Sequence, residues 1–305
     1  MREPDWPFLG SEALAAKALP ERAMRAIYEP VYPGVYVPFG IELTASQRAR
    51  AAWLWSRRRA VAAGNSAAAL LGAKWVSASL DAELLHDNRK PPKRIVVHSD
   101  TLAPHEVLTV DGIAVTSPAR TAFDIGRRTT NRLHAVQRLD ALTNATDVKV
   151  ADVEAVIADH SGARGLLRLR RVLPLVDGGA ESPQETRTRL VLIDAGLPRP
   201  QTQIRVCDEY GEVVARVDMG YEEFRVGIEY DGPQHWTDPE VRARDIDKSC
   251  AFSDLGWTVI RVGSNLLRDR EGTFVARAFD AMLAAGWRPG PPSVNHATAN
   301  RHVAS

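Results

Sequence analysis

Cysteine is scarce: Cys207 and Cys250 are the only two in 305 residues, and their spacing suits no metal. This excludes a disulfide-dense scaffold and a cysteine-ligated zinc site, and fits a reducing compartment. Long hydrophobic runs are missing too. No stretch of the sequence approaches the roughly eighteen apolar residues of a membrane-spanning helix. The opening MREPDWPFLG has acids and prolines where a secretory leader needs a basic and then an apolar stretch. A soluble, cytoplasmic protein without a membrane partner is expected. Net charge is also nearly absent, at +1 from 39 basic and 38 acidic residues. The balance hides an asymmetry: residues 1–180 carry 24 Lys and Arg against 19 Asp and Glu, and residues 181–305 carry 15 against 19. A mildly basic front half suits contact with phosphates, and an acid-rich back half suits a divalent cation. Neither imbalance is large enough to assign a function.

Apolar residues make up 45% of the chain, enough for ordinary cores, and 305 residues exceed one average domain. The stretch from Ser11 to about Ile27 is helix-like with a break at Pro20, and VYPGVYV at 31–37 alternates like a strand. Two short helices before a strand-rich hairpin outline a small winged-helix module over residues 1–43. From Thr44 a long helical stretch leads to NSAAALLG at 65–72, where Asn65 or Ser66 can cap a short helix that Gly72 ends. RIVVHSD at 94–100 and HEVLTVDGIAVTS at 105–117 read as strands, with Asp111-Gly112 as a hairpin turn. SPARTAFDIGRR then starts a helix with Ser117 as cap and Pro118 in the first position. Further helices are expected at 130–143, 150–160 and 164–176. Residues 44–178 thus read as an α+β domain, closed by the loop VDGGAESP at 176–183.

Residues 179–288 change rhythm. SPQETRTRLVLIDAGLP is a helix stopped by Gly196, and QTQIRVC, GEVVARVDM and EFRVGIEYDG read as three strands. A polar helix from about Pro239 to Leu255, a strand WTVIRV at 257–262 and a helix near 272–285 complete the order αβββαβα. Residues 289–305 are rich in Pro, Ser and Asn and are expected to be disordered. The fold class is α/β in the broad sense, with an α+β arrangement of mixed elements.

The chemistry concentrates in GIEYDGPQHW at 227–236. Side chains alternate along a strand, so Glu229 and Asp231 share a face, while Val226, Ile228 and Tyr230 share the other. On the preceding strand Val213, Ala215, Val217 and Met219 form the apolar set and Arg216 and Asp218 oppose them. A tight turn centred on Glu222 and Glu223 would set Asp218 across from Gly227 and diagonal to Glu229. Three carboxylates would then converge, and like charges so close need protons or a cation to coexist. Mg²⁺, or Mn²⁺, is the hard ion such oxygens select, with Asp218 and Glu229 as its ligands. That arrangement suits metal-assisted phosphodiester hydrolysis. Read blandly, Asp218 and Glu229 are surface residues of a hairpin with Arg216 and Arg225 as partners. Gln203 on the first strand and Arg261 on the last are supporting candidates, the arginine because a half-buried guanidinium needs a carboxylate or phosphate. Glu185 reads either as half of a capping box with Ser182 or as a further acid at the metal. Arg242, Arg244 and Lys248 share a helix with Asp245 and Asp247, which allows intrahelical ion pairs or, at Arg242, contact with nucleic acid. The triplet Arg57-Arg58-Arg59 is a second candidate for nucleic-acid contact.

Two resemblances follow. Asp218, ten intervening residues, Glu229-x-Asp231-Gly232, His235 and then Gly256-Trp257-Thr258-Val259-Ile260-Arg261 resemble the nuclease-like domain related to very-short-patch-repair endonucleases, of the PD-(D/E)xK fold. The resemblance covers about residues 181–287 and implies Asp218 and Glu229 as metal ligands. Asp231 stands where most such enzymes have a lysine, and the repair-type branch uses histidine, which implies His235 as the base. VYPGVYVP, NSAAALLG and VDGIAVTSPARTAFDIGRR, with Leu139-Asp140-Ala141-Leu142, resemble the AbiEi-type antitoxins over roughly residues 20–145. That resemblance implies an N-terminal winged helix on operator DNA and a following domain that engages a toxin. The sequence therefore points to a metal-dependent DNA endonuclease, with a non-catalytic DNA-binding antitoxin as the alternative. The implied partners are DNA and a cognate toxin, and a homodimer is a further option.

Overall fold

Residues 5–88, 90–232 and 248–289 are described by the structure, a computed structural model, and contacts divide the chain into two units, Met1–Arg187 and Thr188–Ser305. The first unit opens with strand β1 (Phe8–Leu9), helices α1 (Gly10–Ala15) and α2 (Glu21–Ile27), and strands β2 (Tyr28–Tyr32) and β3 (Val35–Pro38). The three strands form an antiparallel sheet in the order β1-β3-β2. Pro20 separates the helices because its ring cannot continue a helix, and it serves as the residue before α2. Phe8, Ala13, Leu19, Met24 and Tyr28 form a small core of their own beneath these elements.

Helix α3 (Ala45–Trp55) starts at a full capping box: Thr44 Oγ1 accepts from Gln47 N at 3.2 Å and Gln47 Oε1 accepts from Thr44 N at 2.9 Å. The long helix expected from Thr44 stops at Trp55, because Arg57 and Arg58 adopt left-handed backbone at φ 57° and 63°. Left-handed geometry costs a side-chain-bearing residue on the order of 1–2 kcal/mol. The cost is offset by Arg57 Nη1 donating to Ser11 Oγ at 3.1 Å and by a two-pronged pair of Arg58 with Glu12.

The chain then forms a mixed sheet of five strands: β4 (Val61–Ala62), β5 (Ala82–Leu85), β6 (Ile95–His98), β7 (Val107–Val110) and β8 (Ile113–Thr116), in the order β6-β5-β4-β8-β7. Asp111 and Gly112, both at positive φ, close the β7–β8 hairpin as expected. Helix α4 (Gly64–Leu70) follows β4, but neither Asn65 nor Ser66 caps it. The cap comes from across the sheet: the Glu83 carboxylate accepts from Asn65 N at 3.0 Å, where a helix N-terminus favours negative charge. Ser66 Oγ in return accepts from Glu83 N at 2.8 Å. Helices α5 (Pro118–Arg128), α6 (Arg132–Ala145), α7 (Val150–Asp159) and α8 (Leu166–Val172) complete this unit, with Ser117 capping α5 as its Oγ accepts from Arg120 N at 3.4 Å. Helix α5 is buried all round, charges included: Arg120, Asp124 and Arg127 lie beside Phe123 and Ile125.

Helix α9 (Pro183–Asp194) leads into the second unit, a sheet of β9 (Gln201–Cys207), β10 (Val213–Tyr221), β11 (Val226–Asp231) and β12 (Thr258–Gly263) in the order β12-β11-β10-β9. The first three strands are antiparallel neighbours, and β11 with β12 is parallel. A parallel pair needs a crossover, and residues 248–254, here α10, are helical and part of it. Helices α11 (Ser264–Asp269) and α12 (Glu271–Ala284) follow. The expected order αβββαβα describes these elements, with α11 as an addition. Met219, Ile228, Ile260, Val262, Phe274 and Met282 make one core, and Ile204, Val206, Val217 and Phe252 another. The tail from residue 290 onward lies outside the described residues.

Candidate functional site

Four residues singled out by the sequence fall into one row across the second sheet. Strand β10 pairs with β9 so that Val217 faces Ile204 and Met219 faces Thr202, which sets Asp218 opposite Gln203. Met219 faces Ile228 across the β10–β11 pair, and continuing that register sets Asp218 opposite Glu229. Glu229 is in turn the parallel partner of Arg261. The expected register, with Asp218 across from Gly227, is corrected by two residues: Gly227 faces Gly220. The cause is the turn, where a 3₁₀ segment over Glu222–Phe224 and left-handed Arg225 take up more chain than a tight two-residue turn. The correction brings the carboxylates closer than the diagonal placement would. Asp218 Oδ2 accepts from Tyr230 N at 2.8 Å, which ties it to the β11 edge beside Glu229.

A cation already meets this pair. The ammonium of Lys248, on α10, lies against Glu229 Oε1 in a direct ion pair. Burial pushes the Glu229 carboxyl above the ordinary glutamate range and the Asp218 charge adds to this, while Lys248 and Arg261 pull it back without cancelling the rise. Arg261 is exposed, in contrast to the half-buried position expected for it, and its Nη2 donates to Ser249 Oγ at 2.8 Å. Lys248 is the functional candidate that the sequence did not isolate, since intrahelical pairing accounted for it. The parallel β11–β12 pair held the signal: its crossover helix must pack on the sheet, so a cation on that helix can reach β11.

The remaining candidates divide. Asp231 ends β11 opposite Gly263, two residues or about 6–7 Å beyond Glu229 along the strand. The expected convergence of three carboxylates is not what forms: among the described residues no three Asp, Glu, His or Cys side chains could hold one metal ion. Arg216, on β10, is exposed and in register with Arg205. His235 and Arg242 lie outside the described residues. Ser182 Oγ accepts from Glu185 N at 3.2 Å as a cap should, but the return bond is displaced by one residue, Glu185 Oε2 accepting from Glu181 N at 2.8 Å. Of the basic triplet, Arg57 and Arg58 are bound to Ser11 and Glu12, and Arg59 is exposed. Asp218 and Glu229 are hard oxygen donors on adjacent strands, and two carboxylates with water and phosphate completing the shell is how Mg²⁺ is commonly held. The donor set therefore fits such an ion, with Lys248 showing that the pair draws positive charge.

The first unit holds a denser set of charges, none of which the sequence marks as chemistry. Arg120 Nη1 donates to Glu106 Oε2 at 2.9 Å and its Nε to Asp124 Oδ2 at 3.1 Å. His160 Nε2 lies 2.8 Å from Glu106 Oε1, and Arg127 and Arg128 share Asp124 and Asp100. Every charge in this group is matched by an opposite one, which marks a structural network more than a reactive centre.

Residues 58–175, which hold that network and the five-stranded sheet, match the family of the AbiEi antitoxin C-terminal domain. Over 188 residues, 62% of this chain and 68% of each relative, the sequence is 32% identical to two Mycobacterium tuberculosis proteins, "Uncharacterized protein MT2308" and "Uncharacterized protein Rv2248". The chain belongs to one family with them. No solved structure matches it. No helix among the described residues is long and apolar enough to cross a membrane.

Proposed function

We propose that the chain is a DNA-binding regulator of the antitoxin type, whose AbiEi-class domain engages a toxin. The match of residues 58–175 to the antitoxin domain carries this reading. It is supported by what precedes that domain: strand, two helices and a hairpin, with sheet order β1-β3-β2, which is the connectivity of a winged helix. In such a module the second helix meets DNA, and α2 exposes Arg22 and Arg25, although Arg25 also pairs with Glu21 at 2.6 Å. Contacts of this kind to phosphate are electrostatic and weaken steeply with salt. The test is a gel shift, in low salt and without metal, on the DNA upstream of the chain's own gene, together with growth rescue when the chain is co-expressed with the neighbouring toxin candidate. A shift reduced by Arg22→Ala with Arg25→Ala, plus rescue, supports the reading. Neither shift nor rescue overturns it.

The grouping of Asp218, Glu229, Lys248 and Arg261 supports a second reading, phosphodiester hydrolysis in the second unit. Asp218 and Glu229 would hold Mg²⁺ or Mn²⁺, which when bound polarises a phosphate and makes a water more acidic. Lys248 and Arg261 would neutralise the phosphate, and Lys248, moved off Glu229, would steady the approaching water. Plasmid nicking with Mg²⁺ or Mn²⁺, lost in Asp218→Ala and in Glu229→Ala, is the expected result. Absence of nicking with either ion leaves the second unit as a binding scaffold.

A further inference from the structure

Trp75 is held in an expensive conformation for no packing return. Its φ is 64°, in the left-handed region, and the residue is 66% exposed. A bulky side chain is strained there, and such residues gather at ligand clamps. The indole is not free to swing, because its Nε1 donates to Glu181 O at 3.0 Å. A fixed, exposed ring of this kind is a stacking platform.

The ring borders a cavity of about 280 Å³ lined also by Asn65, Lys74, Leu80, His134 and Arg138, and no acidic residue is among its lining. Arg138, on α6, is the unusual member. Its Nη1 donates to Thr129 Oγ1 at 3.3 Å, and it forms no ion pair with a carboxylate among the described residues. The more deeply buried guanidiniums of Arg120 and Arg127 both have such partners. Burial pushes Arg138 below the ordinary arginine value, and Glu83 acts on it only through its field. A partly desolvated guanidinium without a carboxylate, in a cavity lined also by Lys74 and His134, calls for an anion.

We propose that this cavity binds a nucleoside phosphate, with the base stacked on Trp75 and the phosphate held by Arg138 with Lys74. A planar ring suits the indole, and phosphate suits the fork of the guanidinium. The volume fits one nucleotide, either free or at the end of a strand. This site is separate from the proposed winged-helix contact and from the Asp218–Glu229 row, so it stands whether or not those readings hold.

The test is calorimetric titration of the full chain with AMP, GMP, CMP and UMP, and with a 5′-phosphorylated single-stranded pentanucleotide. Inorganic phosphate and adenosine serve as half-ligand controls. At least one mononucleotide should bind saturably and at least about tenfold more tightly than either control, since base stacking contributes strongly to such sites. Trp75→Leu and Arg138→Gln should each weaken binding about tenfold or more, and the distant Arg170→Gln should leave it unchanged. Trp75 is exposed, so Trp75→Leu should melt like the parent and keep the test valid if Arg138→Gln folds poorly. Binding of the pentanucleotide alone, with the same dependence on Trp75 and Arg138, identifies the ligand as a strand end. No binding by any probe at millimolar concentration, or binding that persists in Trp75→Leu, overturns the proposal.

Discussion

Arg120 and Glu106 form an ion pair at 2.9 Å with both side chains almost wholly out of solvent. Removing one partner from such a pair leaves a buried charge without compensation, at a cost of about 3–5 kcal/mol. Arg120→Met leaves Glu106 with only His160 and Ala103 N, and Asp124 with Arg127 and Arg128, so it should lose up to that much in urea denaturation. The double variant Arg120→Met with Glu106→Gln should recover part of the loss. Additive losses would show that the two side chains do not act as one unit.

Acid should destabilise the first unit in a defined window. Burial pushes the Glu83 and Glu106 carboxyls up. For Glu83 the bonds from His98 and Asn65 outweigh burial, and for Glu106 those from Ala103 N, His160 and Arg120 do, so both are held below the ordinary value. A depressed carboxyl contributes stability that is fully present above its unfolded pKa of about 4.3 and is lost as pH falls through the folded value. Unfolding free energy should therefore fall below about pH 4.3, with a shallower slope in Glu83→Gln and in Glu106→Gln. Unchanged slopes in both would contradict the assignment.

Gly165 precedes α8 at φ 89°, and a Cβ added there would run into Arg127 O, a backbone atom that cannot move aside. Gly165→Ala should destabilise by more than about 1 kcal/mol, read as a lower midpoint in thermal melting. A melt matching the parent would mean the α5–α8 contact is looser than the geometry requires.

Glu229 has the opposite sign. Its folded pKa is raised, first by burial, so its stabilising contribution is complete only below about pH 4.3 and is lost as pH rises through the folded value. Glu229→Gln should melt higher than the parent at pH 8, with the gain shrinking toward pH 4. Lys248→Met should raise the Glu229 pKa further, which a carboxyl-observed NMR titration would detect. A lower melting point for Glu229→Gln at pH 8 would mean that the Lys248 pair outweighs the burial cost.

Part of this was legible beforehand. Ser117-Pro118 marks a helix start and Asp111-Gly112 a hairpin because both are local preferences of a few residues, and both stand where expected. Asp218 and Glu229 were identifiable because carboxylates interrupt apolar strands. Their relative register was not, since it depends on how many residues the Glu222–Arg225 turn consumes. The early end of α3 was hidden for a related reason: RRRAVAA has good helix propensity, and contacts of Arg57 and Arg58 with residues more than forty positions away override it.

Composition, caps and alternation by themselves determined the α+β class and many of the elements, because those follow from interactions within a turn or a strand, but not the short strands β1, β4 and β5 or helix α11. Tertiary structure alone decided that Glu83 caps α4, that Lys248 meets Glu229, and that Arg138 and Trp75 share a cavity. Each of those partnerships joins residues far apart in the chain, and a linear sequence carries no distance until the strands have paired and the helices have packed.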